Sequence, residues 1–182
     1  VEGEYGKTEM WYVVDCEAGA ELIYGFKENI SKAEFEARIK ENTLTEVCNF
    51  IPVHKGDVFF IEAGTLHAIG EGILIAEVQQ NSNTTYRVYD YGRLQNGKPR
   101  ELHIDKAIDV TCTKALDCSG APMGEEIQKE GYRETLLTKC ELFTVKRLEV
   151  EERAVLTADE SSFVSLLCLE GNGVVMHEDT CI

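Results

Sequence analysis

Gly56-Asp57-Val58-Phe59-Phe60-Ile61-Glu62-Ala63-Gly64-Thr65-Leu66-His67 decides how this chain is read. A β-rich run, Asp57–Ile61, leads into a glycine turn at Gly64, and a short strand carrying His67 follows. A small β-barrel places a metal ligand on its inner wall in this way. Lys7, Glu9, Glu77 and Arg87 fall at strand-like spacing in the segments on either side. Together these residues predict a metal-dependent enzyme that acts on an anionic small molecule.

Working outward, short β-like runs separated by glycines dominate. Glu9–Asp15 and Glu21–Phe26 are joined by a turn at Cys16–Ala20. Ser31-Lys32-Ala33-Glu34 is a capping-box sequence flanked by Ile30 and Phe35, which predicts a helix over Lys32–Glu41. A helical turn near Leu44–Asn49 ends before Pro52. Strands are predicted at Ala68–Ile69, Ile73–Gln80 and Thr85–Tyr89, then a polar loop over Tyr91–Arg100 and a short helix over Leu102–Val110. Thr111–Gly131 has linker composition. Strands resume at Thr135–Thr138, Leu142–Glu149, Phe163–Glu170 and Gly173–Met176. Many short strands with glycine turns indicate a double-sheet jelly roll or barrel.

The chain has 182 residues, 43% of them hydrophobic, which suits one sizeable domain or one domain and part of another. No apolar run reaches the roughly 18 residues of a membrane-spanning helix, and no signal peptide is visible. The net charge of −15 disfavours nucleic acid as a partner. It leaves an anionic small substrate possible, because a few basic groups can reverse the potential locally. The seven cysteines, at 16, 48, 112, 118, 140, 168 and 181, include no C-x-x-C pair and read as reduced thiols of a cytoplasmic protein. Both ends look cut, so the chain reads as a fragment of a longer protein.

Alternate side chains of a strand share a face. Lys7, Glu9 and Trp11 therefore share one face, and Met10, Tyr12 and Val14 the other. Ile75, Glu77 and Gln79 line one side of the Ile73–Gln80 strand, and Leu74, Ala76 and Val78 the opposite side. Thr85, Arg87 and Tyr89 alternate against Tyr86 and Val88. Spacing alone leaves two readings for Lys7, Glu9, Glu77 and Arg87: residues of a polar pocket, or the solvated face of a strand. His67 is a metal ligand or an ordinary histidine beside a turn. His54, His103 and His177 lack the glycine-turn setting and read as surface or loop residues.

Gly56-x5-Glu62-x-Gly64-x2-His67 resembles the second cupin motif, with Glu62 where proline is usual. Gly6-Lys7-Thr8-Glu9-Met10-Trp11-Tyr12, Gly64-Thr65-Leu66-His67-Ala68-Ile69-Gly70 and Glu77-Val78-Gln79-Gln80-Asn81-Ser82-Asn83-Thr84-Thr85-Tyr86-Arg87-Val88-Tyr89-Asp90 occur in that order. At this spacing they resemble class I mannose-6-phosphate isomerase in its short bacterial form. The resemblance covers residues 6 to about 110 well, and less specifically 132–182.

The resemblance implies a mainly β fold: a cupin-type double-stranded β-helix (jelly roll) over 1–110 with its N-terminal strands missing and a helical insertion at 31–50. A linker at 111–131 and the start of a second cupin-like β-domain at 132–182 follow. It implies a cytoplasmic zinc enzyme that interconverts mannose 6-phosphate and fructose 6-phosphate through an enediol(ate), feeding mannose metabolism and activated-mannose synthesis. Glu9 and His67 map to metal ligands, and a glutamine and a second histidine are expected upstream of residue 1. Lys7 maps to the substrate pocket and Arg87 to catalysis and substrate binding. Glu77 lies in the pocket as the candidate acid–base group, with metal-bound water and Lys7 as competitors. The partner is then a small sugar phosphate, not nucleic acid or membrane. Monomer and homodimer both stay open. So does the division of Lys7 and Arg87 between phosphate and enediolate. A different cupin enzyme such as an iron oxygenase, a sugar-binding module without turnover, and a site-free β-domain are the competing classes.

Overall fold

In a computed structural model the described residues are 3, 5–90, 94–116, 119–177 and 180–181. In chain order the strands and helices are β1 (Glu9–Cys16), β2 (Glu21–Phe26), α1 (Lys32–Lys40), α2 (Leu44–Val47), β3 (Cys48–Pro52), β4 (Val58–Ile61), β5 (His67–Ala68) and β6 (Ile73–Gln79). A hairpin of β7 (Leu94–Gln95) and β8 (Lys98–Pro99), α3 (Ile104–Val110), β9 (Glu126–Lys129), β10 (Tyr132–Lys139), β11 (Thr144–Val150), β12 (Met176–His177) and β13 (Thr180–Cys181) follow.

Two antiparallel three-stranded sheets, β4-β1-β6 and β3-β2-β5, make the double-sheet body. Trp11 and Val13 from β1, Leu22 and Tyr24 from β2, and Phe59 and Ile61 from β4 form one buried cluster shared by the two sheets. The opposite face of β1 is covered as well: Met10 and Tyr12 pack with Val58 and with Leu137 of β10. A third sheet, β11-β10-β9, thus contributes to the covering of the first. β1 is the middle strand of its sheet and apolar on both faces over Met10–Val13, a sequence pattern suited to a strand buried between layers.

The helices close one end. The Ser31 side chain accepts from the Glu34 backbone N–H at 3.0 Å and starts α1. Phe35 is fully buried, edge-on to Phe26 with ring centroids 5.6 Å apart. The Lys32 ammonium donates to the carbonyls of Ile108, Asp109 and Thr111 at 2.5, 3.3 and 2.5 Å, which ties α1 to the C-terminus of α3.

The structure departs from the sequence reading in four places. Thr85–Tyr89 is not a strand. The Arg87 N–H donates to His103 Nδ1 at 3.3 Å and its carbonyl accepts from the His103 N–H at 2.7 Å, so this backbone is committed to the loop before α3. Part of the expected 91–100 loop is the β7–β8 hairpin, turned at Asn96-Gly97 with both residues at positive φ; Tyr91, Gly92 and Arg93 lie outside the described residues. The expected linker contains β9, and its Cys118 lies outside the described residues. Phe163–Glu170 and most of Gly173–Met176 form no strand. Phe163 is 84% exposed and Leu167 71%, and no strand runs beside them among the described residues. Apolar content yields a strand only where a sheet edge and a covering face receive it. No described helix is long and apolar enough to cross a membrane.

Candidate metal and substrate site

The inward face of β1 that carries Trp11 and Val13 also carries Glu9, whose side chain is fully buried. Neither of its carboxylate oxygens receives a well-aligned hydrogen bond. Each instead has one nitrogen at ion-pair distance: Lys7 Nζ is 3.0 Å from Oε2, and His67 Nε2 is 2.9 Å from Oε1. Lys7 Nζ also lies 3.3 Å from Oε1 of Glu77. The opposite register brings this about, because β1 pairs Trp11 with Glu77 of β6 and Glu9 with Gln79. β5 delivers His67 opposite Tyr24 of β2.

The turn that aims His67 depends on glycine. Gly64 has φ +92°, and a Cβ there would come within 2.7 Å of the Val110 carbonyl oxygen. Its own carbonyl accepts from the Cys112 N–H at 2.8 Å. The next carbonyl, of Thr65, sits 2.7 Å from His67 Nδ1. That contact is a hydrogen bond only if Nδ1 carries the proton and donates. In the neutral ring, Nε2 then presents a lone pair to the Glu9 carboxylate.

Two acceptors 2.9 Å apart repel unless a second ring proton or a cation lies with them. Burial works to push the Glu9 carboxyl up; a His67 ring that carries both its protons, together with the Lys7 ammonium, outweighs this and holds the group below its usual range. Burial likewise works against the Lys7 ammonium, yet Glu9 and Glu77 keep its pKa above the ordinary lysine value. With a neutral imidazole the four side chains sum to one net negative charge. A buried, poorly satisfied carboxylate beside an imidazole whose far nitrogen is fixed by a backbone carbonyl suits one side of a zinc site. Glu9 and His67 therefore fit the metal as a pair. No set of three His, Cys, Asp or Glu side chains converges as a metal site among the described residues.

Four of the five sequence-selected residues, Lys7, Glu9, His67 and Glu77, thus meet. Arg87 makes its contacts elsewhere: its guanidinium donates to the Glu101 carbonyl at 3.4 Å and lies 3.9 Å from Asp90. His54 and His177 are exposed, while His103 is half-buried and serves the Arg87 backbone. Alternation along β1 puts Trp11 on the same face as Glu9, and spacing alone assigns it no role. Its indole N–H donates to Glu77 Oε2 at 3.1 Å. A buried tryptophan beside a carboxylate-bearing strand was the available signal, since a buried indole N–H needs an acceptor.

A double-sheet, jelly-roll-like β body with a buried carboxylate–imidazole pair is the class that fold and site define. No family model matches the chain. Individual proteins do. Mannose-6-phosphate isomerase ManA of Bacillus subtilis (strain 168) is 40% identical over 172 residues, which are 94% of this chain and 53% of that protein. Mannose-6-phosphate isomerase of Streptococcus mutans serotype c is 43% identical over 150 residues, 82% of this chain and 46% of the relative. The solved structure of mannose 6-phosphate isomerase from Bacillus subtilis superposes with a TM-score of 0.75 at 39% identity, over 82% of this chain and 47% of that one. By sequence and fold the chain is a homologue of the mannose-6-phosphate isomerases, and it spans about half the length of the curated relatives it matches.

Proposed function

We propose that the protein is a zinc-dependent aldose–ketose isomerase that interconverts mannose 6-phosphate and fructose 6-phosphate through an enediol(ate). The observation that carries this reading is the buried Glu9 carboxylate facing His67 Nε2, with Lys7 and Glu77 beside it, in a homologue of proteins named for that reaction. Glu9 and His67 would hold the metal. Zinc takes about four ligands, and Glu9 and His67 would supply two of them. When bound, it supplies Lewis-acid stabilisation of the negative charge that develops on the sugar oxygens.

The chain's own groups account for the rest. Glu77 faces solvent more than Glu9 does, so it can meet the sugar and carry a proton between C1 and C2. Lys7, between the two carboxylates, can donate to a substrate oxygen while keeping Glu9 charged. Arg87, braced by Asp90 and the Glu101 carbonyl, is the second cation for the phosphate or the enediolate. In this reading residues 1–110 form the catalytic cupin, and the sheet that begins with β9 is the start of a second cupin-like unit. The enzyme works in the cytoplasm on a small sugar phosphate.

The test is fructose 6-phosphate formation from mannose 6-phosphate by the full natural protein that carries these residues, with and without chelator. Turnover that chelator abolishes and zinc restores is expected. A folded, zinc-loaded protein with no turnover overturns the reading and leaves a sugar-binding cupin.

A further inference from the structure

Trp11 is the chain's sole tryptophan and is 3% exposed. Its ring packs in the barrel core with Val13, Leu22 and Phe59. Packing alone would be met by phenylalanine or leucine, yet this side chain makes two directed contacts at the site. Its N–H donates to Glu77 Oε2 at 3.1 Å, and its ring stands edge-on to His67, centroids 5.2 Å apart at 84°. Glu77 Oε1 lies 3.3 Å from Lys7, Lys7 lies 3.0 Å from Glu9, and Glu9 lies 2.9 Å from His67. The contacts therefore run Trp11–Glu77–Lys7–Glu9–His67 and back to Trp11, a closed circuit in which Trp11 alone is rooted in the apolar core.

We propose that Trp11 is a positioning residue of this site: its N–H fixes the orientation of the Glu77 carboxylate, and its ring edge fixes the plane of His67. The consequences for turnover rest on the isomerase reading; the two contacts do not. Glu77 has few orientations left once both its oxygens have donors, and a proton-carrying carboxylate works only from the right one. The His67 ring is held from two sides, by the Thr65 carbonyl through Nδ1 and by the indole edge, which leaves Nε2 aimed at Glu9.

Trp11→Phe keeps a ring against His67 and removes the N–H, whereas Trp11→Leu removes both. In the full natural protein, Trp11→Phe is expected to lower kcat by ~10–100-fold while zinc affinity and KM stay near wild type. Trp11→Leu is expected to weaken zinc binding by a further ~10–100-fold. A second readout needs no activity. In the full natural protein the Trp11 indole ¹H–¹⁵N resonance, assigned by its loss in Trp11→Phe, should exchange slowly with solvent, shift and exchange faster in Glu77→Ala, and shift again when zinc alone is added. Equal losses in both Trp11 variants that track thermal stability, or an indole resonance indifferent to Glu77→Ala, would overturn the proposal. An indole signal that responds to Glu77→Ala and to zinc in a protein without isomerase turnover would uphold the clamp and sink the isomerase reading.

Discussion

Two charged clusters in this molecule use the same kinds of side chain in opposite surroundings. On the β9–β11 sheet, Arg133 and Arg147 interleave with Glu126, Glu149 and Glu151, and Lys146 pairs with Glu134. Most of these groups are substantially exposed, so water screens each pair and little energy rides on any one. In the barrel, Lys7 and His67 flank the Glu9 carboxylate, which has no solvent contact, and an unsatisfied charge there costs several kcal/mol. A fold keeps such a group when a partner or a metal compensates it. Charge content therefore says little about where the chemistry is; a side chain buried whole with both its oxygens incompletely satisfied, as at Glu9, says much more than the single buried Nε of Arg133 or Arg147.

The largest expected difference between the clusters is in activity. In the full natural protein, Glu9→Ala or His67→Ala should lower turnover of mannose 6-phosphate by roughly 10³-fold or more, the rate equivalent of several kcal/mol of Lewis-acid stabilisation. Arg133→Ala should leave it near wild type. A coupled assay decides, and equal effects at the two places would erase the distinction. Next in size is the metal-free stability of the chain. Lys7→Met leaves Glu9 with one partner and should cost about 2–3 kcal/mol in urea unfolding, less than a fully buried pair because Lys7 is partly solvated. Added zinc should recover part of that loss.

Much of the barrel is legible in the sequence because β1 and β2 carry a local pattern. Glu21–Phe26 and the Lys32 start of α1 follow from β-rich residues and a serine cap, and the two faces of β1 follow from alternation alone. The site residues are legible one at a time. Their meeting is not: Glu9 and His67 come from different sheets, and the pairing of Trp11 with Glu77 depends on a cross-strand register that no local signal sets. Phe163–Glu170 shows the converse. Its composition is that of a strand, but no sheet receives it among the described residues. Thr85–Tyr89 alternates like a strand, but the backbone of Arg87 is taken by His103, an interaction between a loop and a helix start.

Gly64→Ala sharpens the contrast at the turn that aims His67. A left-handed backbone and a Cβ 2.7 Å from the Val110 oxygen should together cost about 2 kcal/mol or more, seen as a lower unfolding midpoint, with zinc affinity falling alongside. Gly19→Ala, also at positive φ but with nothing within 4 Å, should lose less and leave zinc affinity alone. The smallest effect belongs to the outer cluster. A double-mutant cycle between Arg133 and Glu149 should give a coupling under ~1 kcal/mol that shrinks at high salt. A coupling of several kcal/mol would mean that this sheet is as tightly constrained as the barrel.

The central claim is that Glu9 and His67 hold a metal, and calorimetric titration of zinc into the metal-free full natural protein tests it most directly. The account predicts one zinc per chain at this site in the wild type, with that binding lost in both Glu9→Ala and His67→Ala and kept in Arg133→Ala. Zinc binding unchanged by both barrel substitutions would contradict it.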